Sequence, residues 1–146
     1  MSTLFLAVVS VLAGVASALQ AATNGALAGR IGLGATLVVS ITVTSVAVAV
    51  FYFAQGGGRG SFFPAGTGWH FYLGGVYGFA IIAALAFAFP RLGGAWAIAL
   101  LVLGQGMAAV AVDHFGWLDQ AQTPISAARV AGLSLIVAGT FLLRWR

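Results

Sequence analysis

Charged side chains make up 5% of this chain: six arginines and two aspartates in 146 residues, with no lysine and no glutamate. A soluble domain carries about 25%. With 62% hydrophobic residues and 21 glycines besides, there are too few polar groups to coat a globule in water. Disorder needs the opposite balance, low hydrophobicity with high net charge. The chain therefore reads as an integral membrane protein. Its net charge of +4 comes from arginines set singly along the sequence, a distribution that excludes a nucleic-acid-binding face. Zero cysteines exclude disulfides, thiolate nucleophiles and cysteine-based metal sites.

Crossing a hydrocarbon core of roughly 30 Å takes about 20 mostly apolar residues in a helix. Cutting at arginines, prolines and glycine clusters leaves five such stretches: Leu4–Ala28, Leu33–Ala54, His70–Phe89, Gly93–Val112 and Ile125–Leu143. None alternates apolar and polar residues as a barrel strand would, and backbone in lipid must bond internally. The expected architecture is all-α, one five-helix transmembrane domain over 1–146. No basic residue precedes the first stretch, which is also too long for the core of a cleavable signal.

An odd number of spans puts the termini on opposite sides. The side opposite the N-terminus then holds Arg30, Arg91, Arg144 and Arg146; the N-terminal side holds Arg59, both aspartates and, at its edge, Arg129. Arginine excess marks the cytoplasmic side, so the expected orientation is N-out, C-in. Trp69 and Trp117 on one side and Trp96 and Trp145 on the other fall where interfacial rings collect.

Helices associate in lipid through small residues that permit close approach. The fourth span carries Gly93, Ala97, Gly104, Ala108 and Ala111 near one stripe; the fifth carries Ala128, Gly132, Ala138 and Gly139. These glycines serve either packing within the chain or contact with a second subunit, and so small a bundle needs a partner to enclose a path.

Polar groups within spans need a partner or water. In the first span Ser10, Ser17, Gln20 and Asn24, with Gly14 between them, recur at three, four and seven residues, which is one helical face. Amides donate and accept, which suits a neutral or zwitterionic ligand, or a carbonyl on another helix. Ser17, Gln20 and Asn24 are candidate substrate contacts, and Gln105, near the middle of the fourth span, is a further candidate for the path; the alternative is hydrogen bonding that only holds the bundle. Ser40, Thr42, Thr44 and Ser45 read as packing, because a helix absorbs hydroxyls. Tyr77 is core or ligand contact, and His70 an interfacial residue. Arg129, about 7.5 Å into the fifth span, snorkels to the interface, pairs with Asp113 or Asp119, or anchors an anionic cargo group. Asp113 and His114 offer the one visible place for proton coupling or gating, or else cap the fourth helix. Catalytic residues, cofactors and metal sites are not expected: histidines sit at the edges, no span holds an acid, and Gly56-Gly57-Gly58 lacks a following lysine.

The run Gly14-Val-Ala-Ser-Ala-Leu-Gln20-Ala-Ala-Thr-Asn24-Gly-Ala-Leu27, the run Asp113-His-Phe-Gly-Trp-Leu118, and Pro124-Ile125, Arg129, Gly132 and Gly139 after it together resemble the five-helix YdcZ-like family of the drug/metabolite transporter superfamily, over essentially the whole chain. The resemblance implies a small bacterial inner-membrane protein whose halves assemble antiparallel, an inverted repeat suited to alternating access around a midplane site. The partner would be a second copy in dual topology or an oppositely oriented paralogue. Gly132-Leu-Ser-Leu-Ile-Val-Ala-Gly139 is also similar to the dimerising helix of the small multidrug resistance transporters, which places Gly132 and Gly139 at a subunit interface. Those transporters hold a glutamate within their first helix; this chain has none, so neutral, zwitterionic or anionic metabolites fit better than cationic drugs.

The expected function is a transporter subunit for a small molecule. The rival readings are a non-transporting structural or regulatory subunit, and a channel. Reporter fusions at the C-terminus are expected to give signal from the cytoplasmic side alone; signal from both sides would mean self-pairing in dual topology.

Overall fold

The computed structural model describes residues 2–57 and 62–144. Arg59, Trp145 and Arg146 of the charge and tryptophan tallies, and Gly58 of the glycine triplet, lie outside the described residues. Regular structure among those described is helical: α1 (Thr3–Ile31), α2 (Leu33–Ala54), α3 (Gly74–Leu92), α4 (Gly94–Phe115) and α5 (Ala127–Arg144), with 3-10 turns at Trp69–Leu73 and Trp117–Asp119. Five helical spans are long and apolar enough to cross a membrane, the third counted from Trp69 to Leu92. Within their apolar windows only 0–11% of residues are buried. Their side chains must therefore meet lipid or another subunit rather than this chain's own core.

Glycine sets the stops. α1 ends at Gly32, whose φ of +82° lies outside the range comfortable for other residues, and α2 starts at the next position. Gly93 joins α3 to α4 with the same φ of +82°. α3 runs on through Pro90, where the sequence suggests a break. A proline's fixed φ suits a helix, and in the last turn it forfeits little beyond the bond to the carbonyl four residues back. α4 extends to Phe115 and stops at left-handed Gly116, φ +63°. Asp113 and His114 therefore sit in the last turn of α4 rather than in the loop after it.

The chain divides into two compact units, residues 1–90 and 91–146. In the first, α1 packs on α2. Ala21, Asn24 and Gly25 of α1, Thr36 of α2, and Leu85 and Ala86 of α3 are its buried residues. Gly25 lies against Pro90: a Cβ there would stand 3.1 Å from Pro90 Cγ and 3.3 Å from Cδ.

In the second unit, α4 and α5 pair antiparallel along their length. Arg144 stacks over Trp96 with its guanidinium carbon 5.2 Å from the ring centre. Thr140 Oγ1 donates to Ile136 O at 2.8 Å and reaches Ala99 O on α4 at 3.5 Å. Gly106 receives Leu133, whose Cδ2 would be 3.2 Å from an added Cβ. Of the small-residue stripe on α4, Ala97 is buried, whereas Gly104 has open space where a Cβ would go. The glycine at the α4–α5 seam is Gly106.

Gly25→Ala and Gly29→Ala make the same chemical change on one helix, but nothing lies within 4 Å at Gly29. Gly29→Ala is expected to be neutral or to stabilise by up to about 1 kcal/mol through helix propensity. Gly25→Ala is expected to cost about 1–3 kcal/mol through overpacking against the stiff proline ring. Thermal unfolding in detergent should separate the two, and equal melting would refute the packing.

Candidate substrate path

Helical periodicity places Ser17, Gln20 and Asn24 on one face of α1. Asn24 is 8% exposed, and its Nδ2 donates to Ser40 Oγ on α2 at 3.1 Å. The pair straddles the turn, eight residues before Gly32 and eight after it, about 12 Å along each helix at 1.5 Å per residue. Gln20 is twelve residues from Gly32, about 18 Å along α1. With a core roughly 30 Å thick, whose midplane lies about 15 Å in, the two amides bracket mid-depth. Gln20 is exposed, and its side-chain amide has no protein partner among the described residues. Ser17 is half-buried. Ser10 is satisfied locally, its hydroxyl donating to Leu6 O at 2.9 Å, so it leaves the candidate set.

Gln105 lies twelve residues beyond Gly93 on α4, again about 18 Å from a glycine turn, and is exposed. Tyr77 is exposed rather than core, and His70 stays exposed beside Trp69, their ring centres 6.2 Å apart.

Arg129 and Asp113 meet at the other end of the α4–α5 pair. Arg129 Nη1 lies 3.1 Å from Asp113 Oδ2, with the side chains 32% and 41% exposed. That nitrogen is itself buried and makes no aligned hydrogen bond, so the contact is chiefly a Coulombic one. Of the partners open to Arg129, the structure selects Asp113. Ser126 caps α5, its Oγ accepting the Arg129 amide at 3.3 Å. The connection folds back over α4 and covers the carbonyls that a helix end leaves without partners. Thr123 N donates to Asp113 O at 2.7 Å, and Gln122 Nε2 to His114 O at 3.0 Å. Ile125 N donates to His114 Nδ1 at 3.4 Å. Leu118 and Asp119 adopt left-handed backbone within this turn, with φ of 59° and 60°.

Gly132 and Gly139 have no atom within 4 Å where a Cβ would go, so neither is occupied by packing within the chain. The residue that sequence reasoning passed over is Ser40. Its equal spacing with Asn24 about Gly32 was visible, yet only the antiparallel pairing of α1 and α2 turns that spacing into a contact. Among the described residues no group of three or more histidine, cysteine or acidic side chains could hold a metal ion.

Five helices long and apolar enough to cross a bilayer define a multi-pass membrane protein. Residues 5–142 match the family described as "Putative inner membrane exporter, YdcZ", and the chain belongs to that family. Membership places it in the inner membrane and supports a transport role. No curated protein and no solved structure matches the chain.

Asp113→Asn and Arg129→Gln are each expected to lower the melting temperature, and the double variant by less than their sum. The coupling should stay within about 1 kcal/mol, because both groups are about a third or more exposed and screened. Strictly additive losses in the double-mutant cycle would show that the pair contributes nothing.

Proposed function

We propose that the chain is one half of an antiparallel pair that carries a small metabolite across the bacterial inner membrane by alternating access. The observation that carries this reading is the row formed by Gln20 and Asn24 on α1: two amides near mid-depth, one of them without a partner among the described residues. A lone amide facing acyl chains is costly, and a shared aqueous passage between two subunits removes that cost. Ser17 extends the row, and Gln105 on α4 is a further candidate contact. Arg129 contributes positive charge at the N-terminal side, paired with Asp113. The Asp113–His114 turn closes that end and serves as a gate or coupling point.

Gly132 and Gly139 form the contact with the second subunit, as small residues do in lipid. The five helices act as one domain in this arrangement, oriented N-out and C-in by the excess of arginines on the C-terminal side. The partner is a second copy or an oppositely oriented paralogue. The word exporter in the family description supports outward transport. A non-transporting structural subunit is favoured by one observation, the Asn24–Ser40 bond, which satisfies part of the face internally.

The native chain has no cysteine, so an introduced thiol is unique. Gln20→Cys in membrane vesicles is expected to react with iodoacetamide about tenfold faster than Leu19→Cys on the adjoining apolar surface, because the reactive thiolate forms only where water reaches it. Equal, slow labelling at both positions would remove the passage and leave the structural reading.

A further inference from the structure

We infer that Ser40 contacts the cargo, working with Asn24 as one hydrogen-bonding pair that selects an uncharged molecule presenting an acceptor beside a donor. The inference rests on the proposed passage along α1 and adds to it a residue on α2 and a chemical class.

Hydroxyls within helices ordinarily bond back to a carbonyl one turn earlier. On α2 itself, Thr36 donates to Gly32 O and Thr44 to Ser40 O, both at 2.9 Å. Ser40 is set apart by its bond to another helix: it accepts from Asn24 Nδ2 at 3.1 Å and, like Thr42 and Ser45, gives its own proton to no described residue. A hydroxyl has one proton to donate and two lone pairs to accept with, so the donor is spare. The Asn24 side-chain oxygen likewise accepts from no described residue. A free donor on half-buried Ser40 and a free acceptor on Asn24, which is 8% exposed, thus stand side by side about 12 Å from the turn.

A second turn in the same chain supplies a comparison. Arg30-Ile31-Gly32 and Arg91-Leu92-Gly93 join their helices through glycines of matching backbone, φ +82° and ψ 155° or 146°. In both, the residue four places on donates its amide to the glycine carbonyl at 3.1 Å. Eight residues either side of Gly93 stand Leu85 and Leu101. In sequence, then, the second link carries leucines where the first carries an amide and a hydroxyl. Charge sets the class of ligand. Apart from Arg30 in its last turn, α1 holds no acidic or basic side chain, and α2 holds none. A charged cargo group at this depth would meet no counter-ion on either helix, whereas a hydroxyl, amide or urea-like group would find both its partners.

Two measurements test the inference. With Ser40→Cys as the unique thiol in vesicles, iodoacetamide is expected to react about tenfold faster than with Val38→Cys, which is close in depth but on the opposite, exposed face of α2. With rates normalised to free cysteine, iodoacetamide should outpace its carboxylate analogue iodoacetate by about tenfold at Ser40→Cys. Labelling no faster than at Val38→Cys overturns the contact, and equal normalised rates overturn the selection for uncharged cargo. The second variant, Asn24→Leu with Ser40→Ala, removes both partners together and should melt within about 4 °C of the native chain. A collapse in yield or melting would make the pair a structural fastening and overturn the inference. Fast labelling at Gln20→Cys with a silent Ser40→Cys removes Ser40 alone; silence at both removes the passage as well.

Discussion

Lipid offers no hydrogen bonds, and most of this structure follows from that. Each backbone amide in a span must find its acceptor one turn earlier, so the five apolar stretches can only be helices. The same demand falls on hydroxyls. Ser10, Thr36, Thr44, Ser134 and Thr140 all return their protons to the carbonyl four residues back. Against that background, a polar group that does not bond to its own helix carries information. Asn24 reaches across to Ser40, Arg129 across to Asp113, and Gln20 reaches no described residue.

Packing contributes in a complementary way. Helices of alanine, valine and glycine gain little by leaving one apolar medium for another, so contact depends on how closely backbones can approach. Gly25 accepts the ring of Pro90, and Gly106 accepts Leu133. Along the α4–α5 pair, the ends are tied by unlike means: a guanidinium over an indole at Trp96–Arg144 and an ion pair at Asp113–Arg129. Both ties fall toward the helix ends, where long basic side chains keep their charge near water.

The number and type of the helices were legible because runs of about twenty apolar residues admit one solution in a bilayer. α2 lies where hydropathy alone puts it, from Leu33 to Ala54. Ends set by special backbone were less legible: Pro90 looks like a stop, yet a glycine of positive φ does the stopping three residues later. The Arg129 partner could be narrowed to two aspartates, because the chain has no other acids. Which glycine faces a neighbour was not legible, since Gly104 and Gly106 differ only in the side of α4 they occupy. Ser40 was hidden for a related reason: composition makes it one of five serine and threonine hydroxyls on α2, and only the register of two antiparallel helices sets it beside an amide.

The one-residue link at Gly32 has a mechanical consequence. Two helices of 29 and 22 residues share a single joint, and the bonds that flank it, Gly32 N to Ala28 O and Thr36 N to Gly32 O, end one helix and begin the next at that residue. The angle between the two helices is therefore set by the φ and ψ of one glycine, and the Asn24–Ser40 bond ties them a second time about 12 Å farther along.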